Sequence, residues 1–164
     1  MNELFSFPNP VNEVSARLVA AGVVVLCAAT LLLDQPLLLI PLAYGFVARV
    51  LTGPTLSPWG QAVTRVLTPM LNIEAKLVPG APKRFAQGIG AGLSVTALVL
   101  HFAFGAAGAA DIAVGAILVA ATLESVLGFC LGCVLFAALM RAKVIPESAC
   151  EDCNDIWARN RVPA

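Results

Sequence analysis

Residues 112–140 read IAVGAILVAATLESVLGFCLGCVLFAALM, a run whose one charged side chain is Glu124. A helix crosses the ~30 Å hydrocarbon core of a bilayer with ~20 apolar residues. This run is longer than one crossing needs, so it must tilt, break near Gly128 or Gly132, or project beyond the bilayer. Three further apolar stretches accompany it: about 14–33, interrupted only by Arg17; about 36–53, opened by Pro36; and about 86–104. The second is marginal in length. The first is expected to remain as a span, because the residues before it lack the basic start of a secretory signal.

Composition supports the same reading. Of 164 residues, 59% are hydrophobic and 12% charged, against roughly 25% charged in soluble domains. Mean hydropathy is +0.88. These figures exclude a soluble enzyme, and a net charge of zero gives no bulk attraction for nucleic acid. The expectation is an all-α integral membrane bundle of four transmembrane helices, one domain over 1–164, with the lipid bilayer as its first partner.

Charge sets the orientation. Asp34 and Asp111 stand in the two short turns, which hold no basic residue, whereas the connection 54–85 and its edge carry Arg49, Arg65, Lys76, Lys83 and Arg84. The tail 141–164 begins with Arg141 and Lys143. Basic residues stay on the cytoplasmic side, so both termini and the connection between the second and third spans are expected there. That connection is punctuated by Gly53, Pro54, Pro58, Pro69, Pro79, Gly80 and Pro82. Between two of the prolines, 58–68 suits a short helix with Trp59, Val63, Val66 and Leu67 on one side, lying in the membrane interface or folded over the bundle. Gly88, Gly90 and Gly92 are small enough for close helix contact at the start of the third span.

The cysteines carry the chemistry. Four of the five form two C-x-x-C pairs, Cys130/Cys133 and Cys150/Cys153, with sixteen residues between the pairs. The spacing serves thiol–disulfide exchange, in which one thiolate attacks and its neighbour resolves. Doubled in this way it also serves a four-cysteine Zn²⁺ site. If the last span starts near Asp111, Cys130 lies about 29 Å along it, near the inner edge of the hydrocarbon, and the tail pair must fold back to meet it. A cytoplasmic site favours reduced thiols over a permanent disulfide. Cys27, alone in the first span, reads as a small packing residue.

Several blocks, namely Phe7-Pro-Asn-Pro-Val-Asn-Glu13, Arg49 with Gly53-Pro54, Ser57-Pro58, Pro82-Lys-Arg-Phe-Ala-Gln-Gly-Ile-Gly90 and Leu123-Glu-Ser-Val-Leu-Gly-Phe-Cys-Leu-Gly-Cys133, resemble the bacterial membrane-protein family catalogued as domain of unknown function 4395. The likeness covers nearly the whole chain. It implies a four-helix protein of the bacterial inner membrane and, from the company such members keep, a thioredoxin-like or sulfurtransferase partner.

Other candidates follow from burial. Glu124 is an ionisable group inside a span and hence a functional candidate, although on a continuous helix it lies ~9 Å from Cys130 along the axis. Arg17 is one partner for it, if deep enough. Arg49, Arg65, Lys83 and Arg84 can bind an anion or a partner, or simply fix topology. His101, toward the outer end of the third span, reads as an interfacial packing residue. Three functions are consistent with this set: a thiol–disulfide oxidoreductase or electron relay using Cys130, Cys133, Cys150, Cys153 and Glu124; a carrier of a small sulfur species; and a non-enzymatic subunit in which the same four cysteines form a structural zinc staple. The redox reading ranks first; substrate and oligomeric state are not legible.

Overall fold

The computed structural model describes residues 7–150; Cys153 and the rest of the expected tail from 151 onward lie outside the described residues. Helix α1, Glu13–Leu32, starts where the Asn12 side chain accepts the Val14 amide at 3.0 Å, which satisfies one of the orphan donors of a first turn. It ends at a tight turn in which Asp34 takes φ 49°. Pro36 opens a 3₁₀ turn, Pro36–Leu38, and α2, Leu39–Thr52, continues until Gly53, with φ 62°, and Pro54 stop it.

The connection that follows is structured. It is helical from α3, Pro58–Ala62, through a π turn, Val63–Leu67, into α4, Thr68–Leu71. Strand β2, Leu77–Val78, then pairs antiparallel with β1, Val11–Asn12. Glu13 N–H donates to the Lys76 carbonyl at 2.8 Å, Ser15 and Thr68 hydroxyls meet at 2.9 Å, and Gly80 N–H donates to Asn9 at 2.9 Å. The connection is thereby tied to the start of α1. The expected single apolar side does not form: Val63 is fully buried, whereas Trp59 and Val66 are exposed. The π turn inserts an extra residue and rotates the face that follows it.

Helix α5, Gly80–Phe102, begins six residues before the expected Ala86, because Pro82 falls in its first turn, where no intrahelical N–H is required. A turn through Gly105 leads to α6, Ala107–Leu127. Helices α1, α5 and α6 are the three among the described residues that are long and apolar enough to cross a membrane. The chain is thus an all-α, multi-pass membrane protein whose outward faces, Val25, Val99, Ile112 and Val119 among them, are apolar and exposed and suit lipid contact. Its core joins α1, α2, α5 and α6 through Val23, Cys27, Leu42, Phe46, Ala97, Val114 and Ile117. Cys27 is fully buried there and acts as a packing residue.

Two of the expected spans differ from expectation. The second is the shorter apolar stretch Pro36–Thr52, cut by Gly53 and Pro54. The fourth is divided by a break at Gly128, which adopts φ 68°, a conformation costing an L residue about 1–2 kcal/mol. Gly128 N–H returns to the Glu124 carbonyl at 3.0 Å and Phe129 N–H to that of Leu123 at 3.1 Å. Arg17 caps the same end, donating to the Ser125 and Val126 carbonyls at 3.1 and 2.8 Å. Beyond the break, α7, Leu131–Arg141, packs against α5. At ~1.5 Å per residue its 11 residues rise about 16 Å, too little to cross a bilayer.

Close approach decides which small residues matter. A Cβ on Gly132 would stand 2.4 Å from the Ala86 Cβ and 2.6 Å from its Cα, whereas Gly88 and Gly92 face open space. The expected glycine contact of the third span therefore reduces to Gly90, against Phe46, while Gly132 supplies the one between α5 and α7. Gly132→Ala should lower stability by about 1–3 kcal/mol through overpacking. Gly92→Ala should raise it by about 0.5–1 kcal/mol through helix propensity. Thermal unfolding of both variants in detergent checks the pair of signs.

Candidate functional site

The break between α6 and α7 assembles the site. Cys130 has an extended backbone and is the N-cap of α7, which places Cys133 in its first turn. The two thiols are free, and each acts on the titration of the other. Cys130 is buried and Cys133 partly so. Both feel the charges of Lys83 and Glu124, which form an ion pair of 2.5 Å with side chains only 10% and 15% exposed. Lys83 comes from the first turns of α5 and Glu124 from the last turn of α6, so an antiparallel pair of helices brings them face to face. The unbroken helix that would separate Cys130 from Glu124 by ~9 Å along its axis ends at Gly128, and the two line the same cavity.

One turn along α5 from Lys83, Gln87 accepts from the Arg49 Nε at 3.0 Å. Arg49 is buried near the end of α2. Its Nη1 reaches the Ser57 hydroxyl at 3.4 Å, and its guanidinium carbon stands 4.8 Å from the centroid of the Phe46 ring, a favourable cation–π placement. Ser57 in turn caps α3 by accepting the Gly60 amide. Among the described residues three cavities border this layer, one of them, of about 200 Å³, lined by Arg49 and Ser57 with Tyr44 and Trp59; the other two reach the thiol site and Lys83. One, of about 290 Å³, is mainly apolar and is lined by Val23, Phe46, Gly90 and Ile117 together with Glu124 and Cys130. The other, of about 190 Å³, is lined by Asn12, Ser15, Arg49, Thr64, Lys83 and Gln87 among others.

Cys130 lies outside the three spanning helices. Its thiol is held below the ordinary cysteine value by the hydrogen bond from Cys133, with the Lys83 ammonium acting in the same sense, against burial and the Glu124 carboxylate. The start of α7 adds the partial positive charge of unpaired amides, which also favours a thiolate. The arrangement can therefore present one sulfur as a nucleophile with a second sulfur in the first turn of the same helix.

Of the residues singled out in the sequence, Cys130, Cys133, Glu124 and Lys83 come together, and Arg49 joins them through Gln87. Arg65 and Arg84 do not: both are exposed, and Arg84 donates to the Val50 carbonyl at 3.0 Å. Arg17 is occupied at the end of α6 and is not the partner of Glu124. Cys150 is buried in a 3₁₀ turn, Glu147–Cys150, that packs against α5; it is disulfide-bonded, where reduced thiols were expected. Cys153 lies outside the described residues. Among the described residues no group of three or more His, Cys, Asp or Glu side chains converges as a metal site. His101 packs edge-on to Phe102 with centroids 5.0 Å apart, at the far end of α5 from Lys83. Gln87 and Ser57 were missed. The spacing of Gln87 four residues after Lys83, which puts both on one helical face, was the available signal for the first.

These features define a multi-pass membrane bundle with a thiol pair set beside a buried ion pair. The chain belongs to the family described as Domain of unknown function (DUF4395), whose profile matches residues 11–141. No curated protein and no solved structure matches it.

Breaking a buried ion pair by removing one partner costs about 3–5 kcal/mol, because the other charge is left uncompensated. Lys83→Met and Glu124→Gln should each destabilise the protein by a figure of that order. The double variant should recover most of the loss, giving a coupling well above the ~0.5 kcal/mol of independent sites. A double-mutant cycle by thermal or denaturant unfolding measures it.

Proposed function

We propose that the protein is a membrane thiol–disulfide redox protein in which Cys130 and Cys133 are the working dithiol. The carrying observation is that these two free thiols stand three residues apart at the start of α7, within the field of Lys83 and Glu124. In the reducing direction, the Cys130 thiolate attacks one sulfur of an oxidised disulfide and forms a mixed disulfide, releasing the other sulfur as thiolate. Cys133 then attacks Cys130, closing the Cys130–Cys133 disulfide and freeing the second sulfur. Two electrons and two protons pass to the acceptor. The tail pair, Cys150 and Cys153, sits in a polar segment of sequence and is the natural point of exchange with a soluble thioredoxin-like or sulfurtransferase partner, passing electrons on to the helix pair.

Thiol-trapping mass spectrometry across a redox titration tests the reading. Cys133→Ser should accumulate a mixed disulfide at Cys130, and Cys130→Ser should not; a variant series with no adduct, and stoichiometric zinc in the wild type, would place the staple ahead. The rate of Cys130 alkylation against pH should rise through a midpoint below that of an ordinary cysteine, near ~8.5. Because Lys83 favours the thiolate and Glu124 opposes it, Lys83→Met should move that midpoint up and Glu124→Gln down.

We further propose that the second crossing is the stretch Pro36–Thr52. A 3₁₀ turn at ~2 Å and 14 α-helical residues at ~1.5 Å per residue rise about 27 Å, close to the ~30 Å required. Four crossings then place the thiol site, Arg65 and Arg84 in the cytoplasm, and Asp34 and Asp111 outside, in the inner membrane. Single cysteines introduced at positions 34 and 111 should react with an impermeant reagent added from outside. Reaction only after permeabilisation would reverse the orientation.

A further inference from the structure

Two of the buried side chains are cations, and they line one cavity. Arg49 and Lys83 are 7% and 9% exposed, and both face the space of about 190 Å³ bounded by Asn12, Ser15, Thr64 and Gln87. Charges removed from water are stable only when paired and hydrogen-bonded. Glu124 pairs with Lys83. Arg49 has only neutral hydrogen-bond partners among the described residues, Gln87 and Ser57, and the face of Phe46. The remaining ion pair among the described residues, Lys76 with Glu13, lies at the start of α1 and supplies no further carboxylate to Arg49. Among the described residues the cavity therefore carries two cations against one anion.

Its donors are also unspent. A guanidinium has five N–H groups and an ammonium three; two of those on Arg49 and one on Lys83 are engaged among the described residues. Asn12, Ser15 and Thr64 add polar groups to the wall, while Pro8, Pro10 and Pro54 close it with apolar surface. The volume is below the ~300 Å³ at which drug-sized ligands begin. It suits a small ion with a few waters, each taking ~30 Å³.

We propose that this cavity is a binding site for a small tetrahedral oxyanion, held by Arg49 and Lys83. The sulfate, thiosulfate and phosphate class fits, whether free in solution or carried as a phospholipid headgroup. The cavity wall contains neither Cys130 nor Cys133; Lys83 is shared with the thiol site, but anion occupancy does not depend on the redox reading.

The test uses the full chain. Thermal stability in detergent is measured on titration with sodium sulfate, thiosulfate and phosphate, with chloride at matched ionic strength as reference, and again in nanodiscs of phosphatidylglycerol against phosphatidylcholine. An oxyanion-dependent rise in midpoint above the chloride reference is expected. Stabilisation by free oxyanions assigns a solute site; stabilisation by phosphatidylglycerol alone assigns the headgroup; either upholds the cavity. Arg49→Gln should weaken the affinity about tenfold or more, as loss of a charge-assisted bond requires, and Arg49→Lys should restore part of it. Since Arg49→Gln can fail to fold, Gln87→Glu is the second variant. It sets a carboxylate where Arg49 already donates at 3.0 Å, so it should raise the midpoint of the unliganded protein and abolish the oxyanion effect. The Cys130→Ser, Cys133→Ser double variant should respond as wild type does, whatever becomes of its redox activity. No oxyanion or headgroup stabilisation in the wild type would overturn the proposal. So would a response unchanged in Gln87→Glu, which would trace it to surface cations.

Discussion

The contact between Lys83 and Glu124 constrains more of this molecule than any other single interaction. A carboxylate in the last turn of an apolar helix is costly unless it is neutralised or paired, and here the compensating ammonium is delivered by the first turns of the neighbouring helix. That requirement fixes the register of α5 against α6: the start of one must lie level with the end of the other. It also fixes where the chain turns. With Glu124 held, α6 closes three residues later, and Gly128 in the left-handed region reverses the chain so that α7 is laid back on α5.

The same reversal explains how an apolar segment carries reactive sulfur. Had α6 continued straight, Cys130 and Cys133 would face lipid or a helix seam two turns beyond Glu124, with no charge in reach. The break makes Cys130 an N-cap instead, at the positive end of α7, within the field of the ion pair. Gly132 then permits α7 to approach Ala86 closely enough to bury the pair. Lysine and glutamate act on the thiol in opposite senses, so their balance tunes the sulfur while their mutual attraction holds the helices.

Three of the four expected spans were legible in the sequence because hydropathy is a sum over local residues, and so was a break as one resolution of the overlong 112–140 run. What could not be read is anything decided by helix phase. Arg49 and Arg65 look alike in a count of basic residues, as do Lys83 and Arg84, yet in each pair one is buried and the other exposed. Arg17 was the partner expected for Glu124; the structure instead pairs Glu124 with Lys83, and Arg17 caps two carbonyls at the end of α6. The glycines of α5 read as a uniform stripe, whereas contact selects Gly90 and adds Gly132 from another helix. Spacing identified the C-x-x-C pairs but carries no information on their oxidation state, so the disulfide at Cys150 was beyond it.

The polar layer also divides the interior by chemistry. Val19 and Gln87 line both of the cavities that reach the thiol site and Lys83; Glu124 and Cys130 face the larger, Arg49 and Lys83 the smaller. Gln87 is thus a neutral partition, fixed by its bond to Arg49, between a cationic compartment and an apolar one that holds a thiol. A neutral residue is what that position requires. A carboxylate there would satisfy Arg49 internally and remove the excess positive charge, whereas an apolar residue would leave the guanidinium without its best-placed acceptor. The ion pair spans the same partition, with its ammonium on one side and its carboxylate on the other. A change of charge in either compartment is therefore felt in the other through a contact of 2.5 Å, with no need for the helices to move.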